Sequence, residues 1–217
     1  MNSIINIVIS SKRAILFMGL FVILLGFESF VQAQNINPTI EKVKKAMLCM
    51  QRRSWEQGTA MQALMEIGDT TAVILMAHEA IIWQSKDGRL AMCGSADNIS
   101  DPAVNGPGML FAYKVTGDAK YKKAADDLFN YFKKPEAKTP NGYIRHNLKS
   151  MQIFSDNTFM QVPFFAMMGD YKEALFQLEG MRTTHLDASK NCFVIFTTTK
   201  KSFGTTVRTG VGAMVGM

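Results

Sequence analysis

Cysteine is scarce: among 217 residues only Cys49, Cys93 and Cys192 carry a thiol. Three thiols exclude a disulfide-stapled miniprotein, and their spacing lacks the close pairs that a zinc site uses. Charge is sparse too. Charged residues make up 19% and hydrophobic ones 47% of the chain, a balance that excludes disorder and supplies one domain with a real core. The net charge is +6, yet the basic residues are scattered, with doublets such as Lys44-Lys45 and Lys122-Lys123. That is a solvated surface without a nucleic-acid stripe, and no RNA-binding signature accompanies it. Nothing in the sequence calls for a metal or a cofactor. Strand signals are almost absent before residue 192.

What is present begins with an address. Lys12 and Arg13 precede an unbroken apolar run from Ala14 to Phe27. The run is shorter than the ~20 residues of a spanning helix. With Val31 and Ala33 ahead of Gln34, it reads as a secretory signal peptide over residues 1–33, cleaved before Gln34. The expected mature protein is therefore secreted or periplasmic, with no membrane association after cleavage.

Beyond it the apolar pattern is helical. Pro38 suits a first turn, with Ile40, Val43, Met47 and Met50 on one face. Ser54 is placed to cap the next helix, with Gln57 at the capping-box position. Gly68-Asp69 ends that helix, and Thr70 or Thr71 opens another that stops at Lys86-Asp87-Gly88. The polar residues 91–107 predict a long loop, followed by helices over 109–115 and 121–132. A loop over 135–142 leads to a helix over 151–168, interrupted by Pro163, and to a last one over 171–181. Helical hairpins recurring every ~45–60 residues fit an all-α ring of paired helices, an α/α toroid, better than a four-helix bundle. Long loops on one rim of such a ring are where function would sit.

Four segments carry a family resemblance: Arg53-Ser54-Trp55-Glu56-Gln57-Gly58; Asp101-Pro102-Ala103-Val104-Asn105-Gly106 with the following Thr116-Gly117-Asp118; Asn141-Gly142-Tyr143-Ile144-Arg145-His146; and Phe154-Ser155-Asp156-Asn157-Thr158-Phe159-Met160, followed by Pro163-Phe164-Phe165-Ala166. In this order they resemble the unsaturated glycuronyl hydrolases, glycoside hydrolase families 88 and 105, over about residues 38–190. The resemblance implies an (α/α)6 barrel. It also implies removal of a 4,5-unsaturated uronic acid from lyase-generated oligosaccharides by hydration of the sugar's double bond.

The resemblance makes Asp156 the acid and base of that reaction. An aspartate among Phe154, Phe159 and Met160 is also expected to sit in apolar surroundings that favour its protonated form. Asp101 corresponds to the family's second aspartate at the catalytic centre, with Asp97 the alternative alignment and a turn or helix cap the plain structural role. His146 resembles a substrate-binding histidine or is a loop residue. Trp55 offers a stacking face for a sugar or fills the core. Met160 belongs to the matched segment as a substrate-side residue and otherwise reads as core filler. His78 reads as structural. Where the family usually has Trp two residues before its catalytic aspartate, this chain has Phe154. The partner implied is an oligosaccharide substrate; oligomeric state is not specified.

After residue 190 the helical pattern ends. A six-hairpin ring needs on the order of 330–380 residues at ~55–60 per pair, so 34–190 would be its N-terminal half. Codons read from the third base after residue 191 permit a histidine-bearing segment similar to the family's. Residues 191–217 are thus expected to be an out-of-frame or disordered tail. The alternatives to an enzyme are an inactive truncated fragment and a non-catalytic oligosaccharide-binding toroid.

Overall fold

The computed structural model describes residues 37–94 and 96–187, and beyond these only backbone in four strands. The predicted signal segment lies outside the described residues, as do 188–191, where the predicted tail begins. The chain divides into two units, 1–46 and 47–217. In the first, the described residues begin helix α1 (Pro38–Met50), with Glu41 paired to Lys44 one turn on.

The second unit is built from three helical hairpins: α2 (Ser54–Glu66) with α3 (Thr70–Ile82), α4 (Gly106–Thr116) with α5 (Ala119–Phe132), and α6 (Asn157–Met167) with α7 (Tyr171–His185). Each turns on the same dipeptide. Gly68, Gly117 and Gly169 have φ of 76°, 69° and 83°, the left-handed conformation that ends a helix and that glycine, having no Cβ, adopts without steric penalty. The next residue, Asp69, Asp118 or Asp170, caps the following helix by accepting from the backbone N–H of Ala72, Lys120 or Glu173 at 3.0–3.1 Å, which satisfies an otherwise orphaned donor. The all-α expectation holds, and this repeat is its local cause.

The core lies between the hairpins. Met61, Leu64, Met109, Leu128, Phe132 and Phe164 are buried there, each stabilising the fold by about 1.5–3 kcal/mol. Phe132 and Phe165 meet edge to face with centroids 5.5 Å apart.

Three sequence expectations need correction. Helix α2 is capped at Arg53, and Glu56, not Gln57, reaches back to accept from the Arg53 N–H at 3.0 Å. Gln57 is buried instead and donates to the Met76 carbonyl. The polar stretch 91–107 is not all loop: Asp101–Asn105 forms a buried 3₁₀ turn that runs into α4 at Gly106, with Pro107 near its start where no N–H is needed. Finally, 151–168 is not one helix. Gln152–Phe154 is a strand, β1, and α6 starts at Asn157 with Pro163 inside it.

Past α7 the chain forms β2 (Leu186–Asp187), β3 (Cys192–Val194), β4 (Phe196–Ser202), β5 (Thr205–Thr209) and β6 (Met214–Gly216). They make two three-stranded sheets, β1-β4-β5 and β2-β3-β6, all antiparallel, with Phe154 opposite Phe196 in the first.

Candidate active site

Hairpin geometry decides where a site forms. The Gly-Asp turns close one end of each hairpin, so the first helix of each pair, α2, α4 or α6, starts at the other end. The long connections also arrive there. Four residues from these starts converge on one cleft of about 350 Å³: Arg53 and Trp55 from α2, Asp101 from the 3₁₀ turn before α4, and Asp156 from the cap position of α6. Asn98, His146 and Phe154 from the connections complete the lining.

The connections are tied down by buried amides. Asn157 donates to the Ile144 carbonyl at 3.0 Å, and Gln177 accepts from the Ile144 N–H at 3.0 Å. His146 sits two residues on, its backbone carbonyl accepting from the Ile99 N–H at 2.9 Å and its N–H donating to Gln152 at 2.7 Å. One short ladder therefore joins the Asp101 connection to β1, which leads directly to Asp156.

Asp101 is 4% exposed. Asn98 Nδ2 and Ser100 Oγ donate to its carboxylate, the latter at 3.4 Å, and His146 Nδ1 lies 3.8 Å from Oδ1. Burial pushes the carboxyl above the usual carboxylate range; His146 pulls it down and the charge of Asp156 pushes it up, for a net rise. Ser100 Oγ also meets His146 Nδ1 at 3.2 Å, so serine and histidine brace the aspartate together.

Asp156 lies differently from the sequence expectation. It is exposed, and its side chain makes no capping hydrogen bond to α6. Of its apolar sequence neighbours Phe154 shares the cleft, whereas Phe159 is exposed and Met160 packs in the core, because the chain changes from strand to helix at this point. The buried carboxyl of the pair is Asp101. A buried acid beside an exposed one can hold and pass a proton in a cleft open to a ligand.

Trp55 is 43% exposed at the cleft edge, available to a sugar face. His146 and Asp101 line the cleft, whereas Asp97 pairs with Lys149 at the surface. Met160, 5% exposed, packs in the core and does not line the cleft; one turn into α6 its side chain faces the helices. The sequence alone does not single out Arg53, Asn98 and Ser100. Arg53 lies inside a matched segment, where a cation two residues from a tryptophan is its signal in the sequence.

The fold and these motifs have counterparts in known proteins. No curated protein sequence matches the chain. A glycoside hydrolase from family 105 of C. acetobutylicum ATCC 824 superposes with a TM-score of 0.51 at 17% identity, a likeness of fold. The match covers 70% of this chain and 48% of that one, so this chain spans less than two thirds of that protein's length. The model of Glycosyl Hydrolase Family 88 matches residues 31–193, a span that contains all three hairpins and every residue of the cleft. The chain belongs to glycosyl hydrolase family 88.

Proposed function

We propose that the protein is an exported glycoside hydrolase that removes a 4,5-unsaturated uronic acid from oligosaccharides left by polysaccharide lyases. The observation that carries this reading is the pairing of Asp101 and Asp156 in one cleft walled by Phe154 and Trp55.

The chemistry needs one acid that becomes a base. The Asp156 carboxyl gives its proton to C4, and the C4–C5 π pair forms the new C–H bond. Positive charge develops at C5 and is shared with the ring oxygen. Water bonds to C5 and returns a proton to the Asp156 carboxylate. The resulting hemiketal opens to a C5 ketone, and the hemiacetal left at C1 expels the next sugar. One water is consumed and the aspartate is restored. Asp101 keeps a second carboxyl next to this exchange, positioned by Asn98, Ser100 and His146.

The test is incubation of the full chain with an unsaturated uronyl disaccharide, followed by the ultraviolet absorbance of its conjugated double bond. Loss of absorbance with release of the second sugar is expected. Binding with stable absorbance would reassign the cleft to holding oligosaccharide, and neither binding nor loss would leave the inactive-fragment reading.

A further inference from the structure

We infer that Arg53 makes this cleft select a free uronate carboxylate over its ester, a specificity that rests on the unsaturated-uronyl reading above. The cleft is lined by two carboxylates, yet the sugar it is to receive carries a third. Among the described residues that line it, Arg53 is the one permanent cation. Its guanidinium forms no ion pair with either aspartate or with any other carboxylate of the described residues, so its charge is not consumed internally.

The guanidinium is nonetheless held in place. It donates to the carbonyl of Gly94. Gly94 has φ of +73°, and a Cβ there would come within 2.7 Å of the Arg52 carbonyl oxygen. Only glycine lets this loop approach so closely, and the approach brings its carbonyl to Arg53. Of the five N–H donors on an arginine, this uses part of one edge, which leaves further donors for a carboxylate in a planar, two-point contact. Trp55, two residues on and at the same cleft edge, supplies a ring for the sugar face while Arg53 takes its acid.

An ester removes the charge and one acceptor oxygen but keeps the ring and the double bond. The free acid should therefore bind more tightly than the methyl ester, and the difference should disappear without Arg53.

The test uses the full chain carrying Asp156→Asn to block turnover, with 4,5-unsaturated digalacturonate and its methyl ester as ligands and calorimetry as the readout. The parent should prefer the acid by roughly 10- to 100-fold, the range for a hydrogen bond to a charged group. Arg53→Gln should abolish that preference, the acid losing far more affinity than the ester, and Arg53→Lys should restore part of it. Should Arg53→Gln fail to fold, the parent's preference must still shrink as salt is raised. Equal affinities in the parent, no binding of either ligand, or a preference that survives Arg53→Gln would overturn the assignment. Turnover by the unsubstituted chain is scored separately. Turnover without acid preference would sink Arg53 alone; acid preference without turnover would sink the hydrolase reading and leave Arg53 standing.

Discussion

The imidazole of His146 lies flat on the ring of Phe154, centroids 4.0 Å apart and planes 10° from parallel. The same imidazole meets Ser100 at 3.2 Å and stands 3.8 Å from Asp101. Phe154 therefore supports the group that braces the buried acid, two residues ahead of Asp156. Phe154→Ala should lower kcat/KM on an unsaturated uronyl disaccharide about 2- to 10-fold, the worth of one aromatic contact. Phe154→Trp preserves a flat apolar face and should stay near the parent rate. Steady-state kinetics of the two variants decides it: equal losses would mean that the stack does not serve the cleft.

Asp156 is exposed and caps nothing with its side chain. Asp156→Asn should therefore cost turnover without costing the fold. Removing a general acid and base is worth about 10²- to 10⁴-fold in rate, while the melting temperature should change little. Retained activity in a folded Asp156→Asn protein would remove this residue from the mechanism.

Asp101 should show itself in the pH dependence of stability. Its carboxyl is raised above the ordinary 3.8 in the folded chain, chiefly by burial. Between that value and the raised one the folded state holds more proton than the unfolded state, so stability falls as pH rises through this window. Above the folded value the full penalty of a buried charge is in force. Asp101→Asn removes the penalty, and the variant should melt a few degrees higher than the parent at neutral pH. Below about pH 3.8 the two should converge. Thermal melts across the acid range check the sign; a parent that gains stability with rising pH relative to Asp101→Asn would contradict it.

The sequence pattern carried most of the helical frame, and its limits have local causes. Gly68-Asp69 and Gly117-Asp118 read as helix ends because a left-handed glycine and a capping aspartate act within a few residues. β1 is only Gln152–Phe154, too short to show an alternating pattern, and its partner segment is distant in sequence. The buried 3₁₀ turn at Asp101 was hidden for another reason. It is held by buried contacts that polarity alone does not reveal, such as the hydrogen bond that Asn105 Nδ2 donates to the Ser54 carbonyl at 3.0 Å. Motif order points to Asp101, His146 and Asp156, whereas their relative burial depends on the three-dimensional frame. The motif places Met160 on the substrate side, but helical phase turns it toward the core.

The frame and the site meet at Gly58. It is buried in the middle of α2, where alanine would normally stabilise a helix by about 1 kcal/mol. Here a Cβ would lie 2.6 Å from the Val104 backbone carbon and 2.8 Å from its oxygen. Backbone atoms of the 3₁₀ turn cannot swing aside as a side chain could, so the turn carrying Asp101 must move. Overpacking of this kind costs typically 1–3 kcal/mol or more, which outweighs the helical gain. Gly58→Ala should lower the melting temperature by several degrees and reduce kcat/KM, because the displaced turn carries Asp101 away from Ser100 and His146. Gly117→Ala is the matched control. Its φ of 69° strains any side chain, but nothing lies within 4 Å of the added carbon, and its turn is at the hairpin end away from the cleft. It should lose about 1–2 kcal/mol of stability with kcat/KM unchanged. Melting curves and kinetics on both variants separate a packing contact that positions the acid from one that only holds the fold; equal kinetics in the two would break the link between α2 packing and the site.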